Sequence, residues 1–222
     1  MANAIQSIFL SGPAGRLEAL LNVGAPGAPY AALVCHPHPV HGGTMHSRVV
    51  YHAAKAVHGF GLPVLRFNFR GTGLSEGTHD HGRGERDDIR AALNWLEQEY
   101  NLPIIFAGFS FGAATGLKAC CPDPRVVGLI ALGTPLSVQE RLYTYSYLSS
   151  CTKPKLMVSG DHDQFAPTAN LREIFNLAAE PKEFLLVEGA DHFFEGKLPI
   201  MREAIAEWLP RHFPALNLQQ RA

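Results

Sequence analysis

The stretch that decides the fold is Leu102-Pro103-Ile104-Ile105-Phe106-Ala107 followed by Gly108-Phe109-Ser110-Phe111-Gly112 and Ala113-Ala114-Thr115-Gly116-Leu117-Lys118-Ala119-Cys120. An apolar run of strand length meets a run with helical character, and five residues between them carry glycines two positions either side of a serine. That pattern predicts a strand, a sharp turn and a helix, with a hydroxyl at the apex. The glycines remove side chains that would clash where a strand reverses directly into a helix. The new helix then aims its first backbone N–H groups at whatever stands in front of the hydroxyl.

The pentapeptide is not unique in the chain, because Gly73-Leu74-Ser75-Glu76-Gly77 repeats its form. Context separates the two copies. The second follows a good strand, Leu62–Phe67, but runs into Thr78-His79-Asp80-His81-Gly82-Arg83-Gly84, a polar, glycine-broken segment unfit to begin a helix. Ser75 is therefore read as a turn residue and Ser110 as the candidate nucleophile.

Outward from Ser110 the chain alternates. Strand-like runs at Tyr30–Cys35, Leu62–Phe67, Pro103–Gly108, Val126–Leu132, Pro154–Ser159 and Glu183–Val187 are separated by segments with helical spacing, among them Ile89/Leu93/Leu96/Tyr100 and Leu198/Met201/Ile205/Trp208. Such alternation predicts an α/β fold with a mostly parallel sheet, helices on both faces, and a site at the carboxyl ends of the strands. Ile5–Leu10 and Arg16–Val23, joined at Ser11-Gly12-Pro13-Ala14-Gly15, predict an antiparallel hairpin ahead of it. With 222 residues and no linker-like segment, a single domain over residues 1–222 is expected.

Composition narrows the function classes. A formal net charge of −1 offers no footprint for nucleic acid or an anionic membrane. The first ten residues lack the basic segment and apolar core of a secretory signal, and no stretch approaches a membrane span, so a cytoplasmic protein is expected. Four cysteines without a Cys-x-x-Cys pair predict reduced thiols rather than a disulfide framework or a thiolate metal site. Gly71-Thr72-Gly73 lacks the third glycine of a dinucleotide fingerprint, since Glu76 stands there.

A serine hydroxyl attacks well only when a histidine takes its proton and a carboxylate orients that histidine. Two later strands end in suitable loops. One runs into Gly160-Asp161-His162-Asp163, with two aspartates, and the other into Gly189-Ala190-Asp191-His192-Phe193-Phe194. His192 is the candidate base. Asp191 is a poor partner for it, because neighbours on an extended segment point to opposite sides.

Together with the Gly108–Gly112 turn, His36-Pro37-His38-Pro39, Phe69-Arg70-Gly71-Thr72-Gly73-Leu74-Ser75, Gly160–Asp163 and Gly189–His192 make the chain resemble the α/β-hydrolase superfamily over Tyr30 to Leu209. Within it the chain is similar to small lidless bacterial serine hydrolases and, more distantly, to dienelactone hydrolases, which carry cysteine where this chain has Ser110. The resemblance implies an α/β-hydrolase fold without a lid domain, since Gly133 to Lys153 joins two strands directly. It selects Asp163 over Asp161 as the acid. It further implies a carboxylesterase with Ser110, Asp163 and His192 as catalytic residues, a small acyl ester as substrate, and no cofactor.

An oxyanion needs two donors. The backbone N–H of Phe111 is one expectation. The other comes from the loop after Tyr30–Cys35, where Pro37 and Pro39 have no N–H; His38 is expected, with Val40 or His41 behind it. Tyr143, Tyr145 and Tyr147 are expected as an apolar wall over Ser110.

Two other readings are carried. His36-Pro-His38-Pro-Val40-His41 has the spacing of a His-x-His-x-Asp-His metal segment, though Val40 occupies the carboxylate position. The same fold can also serve as a non-catalytic binding module.

Overall fold

The computed structural model describes residues 5–138 and 141–219. In chain order the elements are β1 (Ile5–Gly12), β2 (Gly15–Asn22), β3 (Ala31–Cys35), α1 (Arg48–His58), β4 (Val64–Phe67), α2 (Gly84–Tyr100), β5 (Ile104–Phe109), α3 (Phe111–Cys120) and β6 (Val126–Leu132). They continue with β7 (Ser137–Val138), β8 (Arg141–Leu142), β9 (Lys155–Gly160), α4 (Thr168–Leu177), β10 (Lys182–Val187), α5 (Leu198–His212) and α6 (Leu216–Gln219).

Eight strands form one sheet in the order β1-β2-β4-β3-β5-β6-β9-β10. β1 and β2 pair antiparallel from Ile5↔Asn22 to Gly12↔Gly15, and β2 joins β4 antiparallel. Every other pairing in the sheet is parallel. This is the mostly parallel α/β architecture expected from the alternation, hairpin included, and the fold that the resemblance implies.

Central strands read as unbroken apolar runs because both of their faces are buried. Ala31, Leu33, Ile104 and Phe106 face one core, with α2 and α3, while Ala32, Val34, Ile105 and Ala107 face the other, with α1 and α5. The expected helical spacings are borne out: Ile89, Leu93 and Leu96 are buried on α2 with Tyr100 half-buried at its end, and Leu198, Met201, Ile205 and Trp208 are buried on α5. Among the described residues no helix is long and apolar enough to cross a membrane.

The strand order reverses at β3. From β3 the chain moves outward to β4 and then returns to β5 on the other side, so the carboxyl ends of β3 and β5 flank the crevice where ligands bind in open α/β sheets. His36, directly after β3, braces that crevice. Its Nδ1–H donates to the Pro37 carbonyl at 2.7 Å, and its Nε2 accepts the Phe69 N–H at 2.9 Å. The loops after β3 and β4 are thereby tied together by a neutral imidazole, and burial holds its pKa down at about 3.

Two expectations are corrected. Cys121 and Cys151 are joined in a disulfide, with their Cα atoms 5.8 Å apart, while Cys35 and Cys120 are free and buried. Tertiary packing of the α3 end against the segment before β9 brings the pair together across 30 residues, a proximity with no local signature. The connection from β6 to β9 has no lid but is more structured than a plain loop: it holds the short β7–β8 hairpin and a 3₁₀ turn at Ser146–Ser150.

Two outcomes follow from this packing. A Cβ built on Gly116 would lie 1.9 Å from Phe106 Cζ, where α3 rests on β5. Gly116→Ala is expected to lower unfolding free energy by about 1–3 kcal/mol in urea titration, despite the better helix propensity of alanine. For His36 the folded pKa lies below the unfolded one, so its stabilising contribution is present above about pH 6.5 and is lost as pH falls towards about 3. Over that window the wild type should lose stability more steeply than His36→Gln, by up to about 1.4 kcal/mol per pH unit, in denaturant titrations at a series of pH values.

Candidate active site

The turn from β5 to α3 occupies a single residue. Ser110 has φ 54° and ψ −118°, with its N–H donated to Leu132 O at 2.9 Å and its carbonyl accepting from Ala114 N at 3.0 Å. A non-glycine residue in this region costs on the order of 1–3 kcal/mol and persists only where its surroundings over-determine it. The flanking glycines are required by contact. A Cβ on Gly108 would lie 2.6 Å from Gly112 O, and one on Gly112 would lie 2.5 Å from His36 O.

Ser110 Oγ donates to His192 Nε2 at 2.9 Å, and His192 Nδ1–H donates to Asp163 Oδ2 at 2.8 Å. The three residues arrive from the ends of β5, β9 and β10, and all are buried. Asp163 is held from two further directions: the Phe165 N–H donates to Oδ1 at 2.9 Å, and Ser159 Oγ–H to Oδ2 at 3.3 Å. With Asp163 accepting at Nδ1, the imidazole keeps its Nε2 lone pair towards the serine.

The other aspartates have different partners. Asp161 Oδ1 accepts the Gly189 N–H at 2.8 Å and so ties the β9 loop to the β10 loop. Asp191 Oδ1 accepts from Phe193 N at 3.1 Å and Glu195 N at 2.9 Å, closing its own turn. Ser75 is buried in a turn, where its hydroxyl donates to Asn68 O at 2.6 Å and accepts Glu18 N–H at 2.9 Å.

His192 is packed on three aromatic rings: Phe165 at 4.6 Å, Phe109 at 5.0 Å and Phe193 at 5.2 Å between centroids. Phe193 was visible as a neighbour in sequence. Phe109, inside the diagnostic pentapeptide, and Phe165, inside the Asp163 turn, carry no sequence signal of this packing.

A cavity of about 70 Å³ surrounds Ser110, lined by Pro37, His38, His41, Gly43, Phe165, His192 and Phe193. It shares Pro37, His41, Gly43 and Phe193 with a larger cavity of about 330 Å³ that extends past Phe109 to Ser47, Arg48 and Glu195. His38 thus stands beside Ser110, and Phe111 opens α3 directly after it. His41 is removed as a backbone donor, since its N–H is given to His38 O at 3.1 Å. Val40 is two-thirds exposed and does not line the cavity.

The tyrosine wall is a correction. Tyr145 is buried with its hydroxyl donating to Pro135 O at 2.6 Å, Tyr147 packs at a centroid distance of 6.3 Å from it, and Tyr143 and Tyr145 line a different cavity. Phe165 and Phe193 line the Ser110 cavity in their place, because the segment after β8 sets Tyr143 and Tyr145 beside Ala114, Thr115 and Lys118 of α3 rather than beside the serine. The histidine segment also separates: His36 has both ring nitrogens engaged as described, and His38 and His41 stack at 4.5 Å. Among the described residues no three His, Cys, Asp or Glu groups converge as a metal-ligating set.

Comparison with known proteins bears on the fold and the family. Residues 32–201 match the model of an alpha/beta hydrolase domain family. An uncharacterized protein of Rickettsia prowazekii is 35% identical over 212 residues, covering 91% of this chain and 87% of that one. Among solved structures, an alpha-beta serine hydrolase homologue from Coxiella burnetii superposes with a TM-score of 0.83 at 37% identity, covering 91% of this chain and 96% of the other. A serine hydrolase without lid from Xanthomonas campestris gives 0.82 at 30% identity, covering 95% and 96%. A strained serine at the β5–α3 turn, a lidless β6–β9 connection and a match across most of the sheet have one common explanation: the chain belongs to the alpha/beta hydrolase domain family.

Proposed function

We propose that this protein is a serine hydrolase of the carboxylesterase type that cleaves short-chain acyl esters through an acyl-enzyme on Ser110. The observation that carries the reading is the continuous row from Ser110 Oγ through His192 to Asp163, at 2.9 Å and 2.8 Å, starting from a backbone held at positive φ. The serine hydrolase relatives from Coxiella burnetii and Xanthomonas campestris support the same class.

In the first half-reaction Ser110 Oγ attacks the ester carbonyl carbon while His192 Nε2 takes its proton. The carbonyl π pair moves onto oxygen, and the backbone N–H groups of Phe111 and His38 stabilise that oxyanion at the positive end of α3. Collapse re-forms the carbonyl and expels the alcohol, which leaves with the proton held by His192. A water then repeats the sequence on the acyl-enzyme: His192 accepts its proton, hydroxide adds to carbon, and Ser110 departs reprotonated as the acid is released. Asp163 stays ionised throughout and stabilises the imidazolium each time it forms. No step calls for a metal or organic cofactor.

A fluorophosphonate probe is expected to label Ser110 and no other serine, and peptide mass mapping reads the site; labelling at Ser75 or retention of ester turnover in Ser110→Ala would overturn the assignment. Asp163→Asn should lower kcat by on the order of 10³–10⁴ with the fold intact, because the amide favours the wrong imidazole tautomer. Asp161→Asn, which only loosens a loop tie, should cost far less.

Acyl length is the second readout. Each acyl methylene covered by the phenylalanine-lined cavity contributes about 0.8 kcal/mol, and those left in water contribute nothing. In a p-nitrophenyl ester series kcat/KM should peak at acyl chains of roughly two to six carbons and fall beyond, as burial stops contributing. A continued rise to long-chain esters below their aggregation limit would contradict an open, lidless site.

A further inference from the structure

The cavity that received Tyr143 and Tyr145 has a chemistry unlike the Ser110 site. It measures about 220 Å³, and its lining brings Arg83 and Arg86 from the start of α2 together with Lys118 from α3, His81, Thr115 and Tyr143. No carboxylate of the described residues lines it. None of the three cationic side chains forms an ion pair among the described residues.

The described acids near Arg83 and Arg86 in sequence are committed elsewhere. Glu85 is buried and accepts N–H groups from Asp80 at 2.8 Å and Gly82 at 2.6 Å, with His79 Nδ1 at 2.8 Å. Asp88 is paired with Arg70, Asp87 with Arg90, and Asp80 accepts the Gly84 N–H. The cationic groups also stand on a fixed frame. Glu85 ties down the loop whose residues His81 and Gly82 both hold positive φ, and Arg86 Nε donates to Gly82 O at 3.1 Å.

A second observation bears on the same wall. Thr115 lines the cavity and is 4% exposed, and among the described residues its Oγ1 has no hydrogen-bond partner. A buried hydroxyl gains from a partner, and an acceptor oxygen held by the neighbouring cations is of the kind it lacks.

We propose that this cavity is an anion-binding site that takes a phosphoryl group. Two guanidinium groups, an ammonium and a hydroxyl match a tetrahedral group carrying nearly two negative charges and several acceptor oxygens better than they match a carboxylate. The site adjoins the serine. Thr115 and Lys118 follow Ser110 by five and eight residues on α3, which sets them about 8–12 Å along the helix axis from it. A row of rings, His81 on His79, His79 on His38 and His38 on Phe111, separates the two cavities at centroid distances of 5.1, 4.9 and 4.9 Å. The phosphoryl group belongs either to a free phosphate-bearing ligand or to the distal end of an ester whose carbonyl sits at Ser110.

The test is calorimetric titration of the full-length protein with inorganic phosphate at low ionic strength. Saturable binding is expected, weakened at least about tenfold in Arg86→Gln/Lys118→Gln and retained in the charge-keeping pair Arg86→Lys/Lys118→Arg. Thr115→Val, which keeps shape and removes only the hydroxyl, should weaken it by a smaller factor. Absence of saturable binding up to about 20 mM phosphate, or equal affinity in the charge-removing pair with its melting temperature preserved, would overturn the proposal.

A second arm assigns the source and rests on the serine-hydrolase reading. An ester with a phosphate placed about 8–12 Å from its carbonyl is compared with its neutral analogue. A kcat/KM advantage for the phosphorylated ester that the charge-removing pair abolishes makes the phosphate part of the substrate; equal rates alongside phosphate binding make it a separate ligand. If neither the phosphorylated nor the neutral ester is turned over, the hydrolase reading fails while the phosphate titration still decides this one.

Discussion

Everything at the carboxyl edge of the sheet depends on β5 becoming α3 through a single residue. That transition is possible because Gly108 and Gly112 allow backbone to approach backbone, and because the carbonyl of His36 lies where a Gly112 side chain would otherwise stand. The strain at Ser110 is offset by order around it. Its N–H is bonded to β6, its carbonyl to the first turn of α3, and the ring of Phe111 behind it packs against Phe69 at 5.6 Å. In the proposed mechanism a serine held this way needs little reorganisation before attack, and preorganisation of that kind is where electrostatic stabilisation becomes effective.

His36 links this turn to the rest of the crevice. It reads in sequence as a member of a histidine cluster, whereas in the fold it is a neutral strut between the loops after β3 and β4. Its two hydrogen bonds hold the loop that carries His38 next to Ser110, so the oxyanion side of the proposed mechanism is positioned by a side chain that touches no reacting atom. Asp161 performs a comparable service opposite, tying the loop of Asp163 to the loop of His192 through Gly189. The hydroxyl, imidazole and carboxylate therefore stand on loops whose spacing is set by hydrogen bonds independent of the row itself.

Much of this was legible before any coordinates. All eight strands of the main sheet were readable because buried parallel strands are runs of apolar residues bounded by turn signals, and the β5–α3 turn was readable because its glycines answer a steric need. Ser110, His192 and the two aspartates of the β9 loop followed from one rule, that open α/β sheets gather function at strand ends, and the choice of Asp163 over Asp161 came from the family resemblance. What escaped depends on packing between distant segments. The Cys121–Cys151 pair and the diversion of the tyrosines away from Ser110 require knowing how the β6–β9 connection lies on the body, and the aromatic seat of His192 requires knowing that the loop after β9 packs beside the end of β5. A two-residue strand pair such as β7–β8 has too few residues to show a period.

Net charge was informative about what the whole surface is not, and it concealed what one cavity is. A chain with 19 basic and 20 acidic residues is close to neutral, yet neutrality says nothing about where opposite charges cancel. Along the first turns of α2 the acids are absorbed one by one, into backbone N–H groups, into Arg70 and into Arg90, leaving Arg83 and Arg86 facing Lys118 across a cavity that no described acid enters. Local charge is what a small anionic ligand senses, because beyond about 8–10 Å salt screens the remainder of the surface. The cationic cavity and the strained serine lie on the same short helix, α3, which contributes Ser110 at its start and Thr115 and Lys118 further along. A single rigid element thus sets the distance between the proposed nucleophile and the cationic cavity, which is the physical requirement for selecting a substrate by a group remote from its reacting bond.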